Sequence, residues 1–326
     1  MHVILEELKK TGIIPVIKID DAANAVPLAR ALISGGIPCA EVTFRTAQAE
    51  EAMVRINSEL CSGKVPEILL GAGTVLSTDQ VDKAIAAGAR FIVSPGFNPS
   101  VVSYCVEKGM PVIPGCSCPS DIEKALEMGL EVVKFFPAEQ TGGLEYIKAV
   151  SAPYPSMLFI PTGGINARNI AAYIAYEKIV ACGGSWMVSA DLINSGDFNG
   201  ISALCREALI NMLGFQMAHI GLNAENEDAA MKAAGRFGAL FGFGNNAGVS
   251  SVFAGTGIEI MKSPYLGKNG HIAIATNSVD RAVAYFRRQG IEFNEDSARA
   301  NAAGNLVAIY FKEEISGFAI HLVQKK

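Results

Sequence analysis

The chain has 326 residues, half of them hydrophobic and 18% charged, with a net charge of −5. That length is long for one core, so two domains are expected, and the composition is that of a packed enzyme rather than a disordered or fibrous chain. The acidic balance without a basic run argues against nucleic acid as the main partner, and no apolar stretch reaches the roughly 18 residues that span a bilayer.

Residues 1–10 alternate apolar and charged side chains, lack the features of a signal peptide, and read as a short amphipathic helix. From residue 13 to 182, short apolar runs recur at intervals of roughly 20 to 30 residues, at 13–17, 39–44, 68–71, 91–94, 111–114, 132–136, 158–161 and 179–182. Segments of helical period lie between them, at 22–34, 78–87, 99–108, 119–128 and 166–176. Several follow a capping residue, as Ser77 or Thr78 precedes Asp79 and Asn98 precedes Pro99. Eight strands alternating with helices predict a parallel sheet, and eight in about 210 residues suit a closed (β/α)8 TIM barrel. Strand counting alone leaves a doubly wound open sheet as the alternative.

The seven cysteines (Cys39, Cys61, Cys105, Cys116, Cys118, Cys182 and Cys205) are odd in number and irregular in spacing. That is cytoplasmic usage rather than a disulfide framework. Cys116 and Cys118 have no second pair or nearby histidine to complete a metal site.

After residue 211 the rhythm changes, and three of the four histidines follow. Strand-like 217–223, helix-like 227–241 and strand-like 249–261 form one unit. Strand-like 270–277, helical 279–289 and strands at 306–311 and 318–323 form another. Strand, helix, then strands, twice over, is an internal duplication of an α+β unit. The boundary falls near Leu213-Gly214, dividing the chain into 1–212 and 213–326.

The most informative single residue is Lys134, inside the apolar run Val132-Val133-Lys134-Phe135-Phe136-Pro137. Desolvation disfavours an ammonium relative to the free amine, the form that attacks a carbonyl carbon. By itself the run is equally compatible with a stem packed on phenylalanines and a head at water. Catalytic groups of such a barrel project from the C-terminal ends of its strands. Those ends offer Glu41 and Arg45 after the second strand, Thr74 after the third and Pro95 after the fourth. Lys134 lies on the sixth, Thr162-Gly163-Gly164 follow the seventh, and Gly183-Gly184-Ser185 follow the eighth. The last two Gly-rich turns occupy the usual phosphate position, where backbone N–H groups approach an anion closely; otherwise they are tight strand–helix turns.

Here the chain closely resembles the class I aldolases that cleave 2-keto-3-deoxy-6-phosphogluconate and 4-hydroxy-2-oxoglutarate. The matching segments, in family order, are Ile14-Pro15-Val16-Ile17, Glu41-Val42-Thr43-Phe44-Arg45-Thr46, Gly71-Ala72-Gly73-Thr74-Val75, Ser94-Pro95-Gly96, Lys134-Phe135-Phe136-Pro137-Ala138-Glu139, Pro161-Thr162-Gly163-Gly164-Ile165 and Gly183-Gly184-Ser185-Trp186. The resemblance implies that Lys134 forms a Schiff base with the keto group, without any cofactor, and that Glu41 is the general acid/base. It implies that Arg45 and Thr74 hold the substrate carboxylate, that Pro95 belongs to the substrate site, and that Thr162, Gly163, Gly164, Gly184 and Ser185 line the carboxylate and distal phosphate region. Its partners are then a small keto acid and pyruvate, and its assembly a homo-oligomer, commonly a trimer. One departure stands after the fifth strand. Where the family usually has a small residue followed by Thr-Pro, this chain has Ser117-Cys118-Pro119.

The duplicated part resembles the vicinal-oxygen-chelate (glyoxalase-like) superfamily, which pairs two β-α-β-β-β modules around a metal cup. In that pattern the ligands are His219 and Glu259 in the first module and His271 and His321 in the second, the last position being more often Glu. Three imidazoles and a carboxylate suit a divalent ion such as Zn²⁺, Ni²⁺, Mn²⁺ or Fe²⁺. Any one of these histidines alone is equally a packed, hydrogen-bonded strand residue. The competing reading of the whole chain is another phosphosugar barrel lyase or isomerase that uses Lys134 only electrostatically, with the C-terminal domain a binding or oligomer-contact module.

Overall fold

The structure, a computed structural model, describes residues 2–61, 63 and 67–325. Two compact units divide it, Met1–Met212 and Leu213–Lys326. Among the described residues no helix is long and apolar enough to cross a membrane.

The expected N-terminal helix runs Val3–Thr11 and stops at Gly12 in the left-handed region (φ 75°); Met1 lies outside the described residues. The strands of the first unit are β1 (Ile13–Ile17), β2 (Cys39–Thr43), β3 (Leu69–Gly73), β4 (Ile92–Val93), β5 (Val112–Ile113), β6 (Gly115–Cys116), β7 (Val132–Phe135), β8 (Leu158–Pro161) and β9 (Cys182–Gly184). All pair in parallel, in the order β5-β4-β3-β2-β1-β9 and, separately, β6-β7-β8. Single bridges, Phe159 to Ile179 and Thr162 to Gly183, join β8 to the β9 segment. The other seam lies at Pro114, which has no N–H for a ladder and separates β5 from β6. The fifth barrel strand is therefore in two pieces, one in each sheet, and the eight strand positions close on themselves as a (β/α)8 barrel. An open doubly wound sheet does not fit. β1 and β2 are buried at every position, as strands between an inner core and an outer layer of helices must be.

In the first unit three sequence expectations need correction. The run at 111–114 is two short strands, for the reason just given. The run at 179–182 is a strand only from Cys182, and it continues through Gly183 and Gly184, which pair with Ile14 and Pro15 of β1. Those glycines are strand residues, not a turn. The helix expected at 166–176 shrinks to Ile170–Ile174. Asn166 accepts from the Arg168 amide (2.9 Å) and Asn169 from the Asn166 amide (2.8 Å), so their side chains hold a turn in place of helical hydrogen bonds.

The second unit carries the duplication in full. Its strands are β10 (Gln216–Asn223), β11 (Asn245–Ala247), β12 (Ser251–Ala254), β13 (Ile258–Met261), β14 (His271–Thr276), β15 (Phe293–Ala300), β16 (Leu306–Ile315) and β17 (Phe318–Gln324), with helices Glu227–Phe241 and Val279–Arg288 after β10 and β14. They form one sheet in the order β11-β12-β13-β10-β14-β17-β16-β15. Each module pairs its first strand in parallel with its last, and the two first strands pair antiparallel at the centre. The expected strand at 249–261 is instead the hairpin β12–β13, turned at Gly255 (φ 66°). β15 escapes the sequence reading because its segment Phe293–Ala300 is largely polar and lacks apolar alternation, which suits an outermost strand. Ala230 and Ala234 of the first helix pack with Val252, Ala254 and Ile260 as a buried core.

Several helices start on a side chain that accepts from the first turn: Ser77 from Gln80, Asn98 from Ser100, Asn226 from Ala229, Ser278 from Arg281. Cys118 holds the same position before Pro119–Glu127 and makes no such bond. Replacing it by an oxygen-bearing residue of similar size should supply the missing acceptor. Cys118→Ser is expected to raise the stability of the barrel unit by about 0.5–2 kcal/mol, read as a higher denaturant midpoint at unchanged slope; an equal or lower midpoint would show that the thiol is already matched to its surroundings.

Candidate active site

Lys134 is the third residue of β7, with buried Val133 and Phe135 on either side. Its amide donates to Pro114 (2.9 Å), and it lies in register with Gly115 and Ile160. Glu41 is the middle residue of β2, inside the strand rather than after it, in register with Val16 and Gly71. The two strands are not neighbours, so the side chains meet across the barrel interior. Lys134 Nζ lies 3.6 Å from Glu41 Oε1, with the side chains 8% and 3% exposed. That separation is too long for a hydrogen bond, and Glu41 Oε1 is buried without a hydrogen-bond partner. The Phe136 ring, 5.2 Å from Nζ, covers the amine. An amine and an acceptor carboxylate, both dry and just out of bonding contact, leave room for a reacting atom and its proton.

The remaining residues lie along the rim where the parallel strands end. Arg45 is exposed just past β2; its Nε donates to Thr43 Oγ1 (3.2 Å), and Thr43 donates to the Ile17 carbonyl (2.7 Å). Thr74, directly after β3, has φ 57°, a conformation that side chains other than glycine adopt rarely and that marks stored strain. Pro95 follows buried Ser94, whose hydroxyl donates to the Gly96 carbonyl (2.8 Å). Thr162 is buried after β8; its amide donates to Phe135 and its carbonyl accepts from Ala138, tying it to the segment that carries Lys134. Gly163 and Gly164 take positive φ (99° and 82°). Gly184 is in β9, and Ser185 is exposed immediately beyond it.

Sequence reasoning passed over two residues that shape this site. Thr43 fixes the base of the Arg45 guanidinium. Gly73 leaves the space that Glu41 occupies, since a Cβ there would overlap the Glu41 carboxylate. The Gly71-Ala72-Gly73 spelling was the only signal for it, and it reads equally as a turn.

In the second unit the structure gathers His219, His271 and His321, one ring nitrogen of each lying within 4.8 Å of the other two. Glu259 Oε2 is 3.0 Å from His219 Nε2 and 3.1 Å from His271 Nε2. Burial alone would raise the Glu259 carboxyl, but the close approach of His219 and His271 and the Ser251 hydroxyl outweigh it and hold it far below the usual carboxylate range. Burial, then the neighbouring His271 and His219, push His321 down to about 3, so its ring is neutral near pH 7.

The family model for KDPG and KHG aldolase matches residues 4–204. The 2-dehydro-3-deoxy-phosphogluconate aldolase of Treponema pallidum is 51% identical over 209 residues, 64% of this chain and 97% of the relative. The KHG/KDPG aldolase of Escherichia coli is 40% identical over 63% of this chain and 94% of its own length. Among solved structures, the KDPG aldolase of Legionella pneumophila, with pyruvate captured as a covalent carbinolamine, is 36% identical at a TM-score of 0.59, covering 63% of this chain and 97% of that one. The Zymomonas mobilis enzyme, solved with 3-phosphoglycerate, is 36% identical at 0.57, covering 63% and 94%.

The Gly73 cavity can be tested directly. Gly73→Ala is expected to push the Glu41 carboxylate off its approach to Lys134 and to cost about 1–3 kcal/mol, as overpacking does. A crystal structure of the variant with Glu41 unmoved would show that the space is not required.

Proposed function

Because this chain belongs to the KDPG and KHG aldolase family, we propose that its barrel uses Lys134 as the nucleophile and Glu41 as the proton carrier. The protein is a lyase, a Schiff-base aldolase that cleaves a 2-keto-3-deoxy-6-phospho sugar acid or 4-hydroxy-2-oxoglutarate to pyruvate and an aldehyde. The buried Lys134–Glu41 approach of 3.6 Å is the observation that carries the residue assignment.

The amine lone pair of Lys134 adds to the C2 carbonyl, giving a carbinolamine that loses water to an iminium. The C4 hydroxyl gives its proton to Glu41, the C3–C4 bond breaks, and its electron pair moves into the iminium, leaving an enamine and the free aldehyde. Protonation of the enamine at C3 and hydrolysis return the lysine and release pyruvate. Glu41 suits the proton steps because its Oε1 has no hydrogen bond to give up. In this reading Arg45, braced by Thr43, and Thr74 hold the carboxylate of the pyruvate half, which a guanidinium binds with charge-assisted hydrogen bonds. Pro95, Thr162, Gly163, Gly164, Gly184 and Ser185 complete the wall toward the distal end of the substrate. Seven free thiols support a cytoplasmic setting. The family resemblance supports a homotrimer, which should sediment at three times 34.4 kDa.

Borohydride added with pyruvate should convert the iminium to a stable secondary amine on Lys134, seen as a mass increase of the peptide that contains it. Lys134→Met, which fills the apolar site without an amine, should abolish both the adduct and pyruvate release while the protein stays folded. Full turnover by Lys134→Met, or an adduct on a different lysine, would refute the assignment.

Glu41→Gln keeps the shape but cannot exchange a proton near neutral pH. It is expected to lower kcat by roughly 10²- to 10⁴-fold, with the pyruvate adduct on Lys134 still forming. A kcat close to that of the unaltered protein would remove Glu41 from the reaction.

A further inference from the structure

The turn at Gly163-Gly164 is held from beneath by the chain that follows Lys134. We propose that Glu139 and Tyr173 are a positioning pair: Tyr173 anchors the Glu139 side chain, and Glu139 holds this turn ready for an anionic distal group of the substrate at a set distance from Lys134. The proposal rests on the aldolase reading above and extends it to the end of the substrate away from the keto group.

Glu139 opens the short 3₁₀ helix Glu139–Thr141 on the segment that carries Lys134. Its amide donates to the Gly163 carbonyl (3.1 Å), and the Ala138 amide donates to the Thr162 carbonyl (2.8 Å). The side chain then runs beneath the turn, where a Cβ on Gly164 would overlap Glu139 Cβ and Cγ. On the far side the Gly164 carbonyl accepts from Asn166 Nδ2 (3.0 Å) and Asn169 Nδ2 (3.1 Å). The carbonyls are therefore tied down, while the amides of Gly164 and Ile165 donate to no acceptor among the described residues. Successive free N–H groups in such a turn form a concavity suited to an anion. The amine and the turn share one short segment, so a shift of Glu139 changes the span between them.

Glu139 needs an anchor of its own. It is exposed, and a carboxylate free to swing toward an anion site would repel the group that the turn receives. Tyr173 removes that freedom. It lies in the helix Ile170–Ile174 that follows the turn, is 2% exposed, and donates its hydroxyl to Glu139 Oε1. Burial, then the bond to Glu139, push the phenol well above its ordinary range, so it remains a donor around neutral pH. Gly143 permits the approach, because a Cβ there would crowd both Glu139 Oε1 and the Tyr173 hydroxyl.

The test compares two substrates of different length on the full chain. With 2-keto-3-deoxy-6-phosphogluconate, Tyr173→Phe and Glu139→Ala should each raise KM roughly 10- to 100-fold with kcat little changed, as loss of a contact made equally in ground and transition states does. Glu139→Gln still accepts from Tyr173 and still fills the space beneath Gly164, so its KM should stay near that of the unaltered chain. The double variant should be no worse than Glu139→Ala alone, because Tyr173 acts through Glu139. 4-Hydroxy-2-oxoglutarate carries its second carboxylate on C4 and is too short to use the turn in the same way. Its kcat/KM should be unchanged in every variant, as should borohydride trapping of pyruvate on Lys134. Calorimetric titration with inorganic phosphate reads the turn without turnover, and affinity should fall in Tyr173→Phe. Absence of a pyruvate adduct on the unaltered chain would sink the aldolase reading, with the phosphate titration still judging the pair. Equal losses with both substrates, or unchanged KM and phosphate affinity in Tyr173→Phe, would overturn the proposal.

Discussion

A lysine and a glutamate from opposite sides of a closed barrel meet inside it, 3.6 Å apart and almost without solvent. Removing two charges from water costs several kcal/mol per ion, which their attraction offsets only when the surroundings hold them in place. The barrel does this by closure. β2 and β7 are each held by parallel neighbours on both sides, so neither backbone can shift to relax the pair. Gly73 gives the carboxylate its space, and Phe136 covers the amine. The rim residues depend on the same arrangement. Thr162 is bonded through its backbone to Phe135 and Ala138, both just after the lysine, and Arg45 is braced through Thr43 to the end of β1.

The second unit solves a related problem by different means. Its clustered histidines and Glu259 are not placed across a cavity but side by side on four strands of one sheet, with a glycine and an alanine between them. The duplication makes this possible. Each module contributes its first and last strands to the centre of the sheet, so residues far apart in sequence arrive in adjacent rows. The barrel site depends on closure of a sheet around a core; the histidine site depends on register within a sheet. A one-residue slip in β17 would turn His321 to the other face and dissolve the cluster.

Much of this was legible in the residues. Alternation of short apolar runs with helical segments indicated a barrel, and the motif around Lys134 indicated Schiff-base chemistry. The cap at Asn98 is legible because capping is local chemistry, and of the two candidates Ser77 and Thr78 the structure uses Ser77. Failures came where a distant partner decided the outcome. Gly183 and Gly184 read as a turn because glycine favours turns, yet pairing with Ile14 and Pro15 makes them strand. Strand β15 was missed because an outermost strand can be polar on both faces.

The sequence by itself determined the alternation of strands and helices, the duplication, and which side chains are candidates for the chemistry, since periodicity, capping and residue type act over a few neighbours. Only the tertiary structure decided that the barrel closes through a fifth strand broken at Pro114. It alone decided that Glu41 faces Lys134 from within its strand, and that Gly221, Ser251 and Tyr310 arrange the histidines. Those outcomes depend on pairing and packing between residues remote in the chain, which local pattern does not encode.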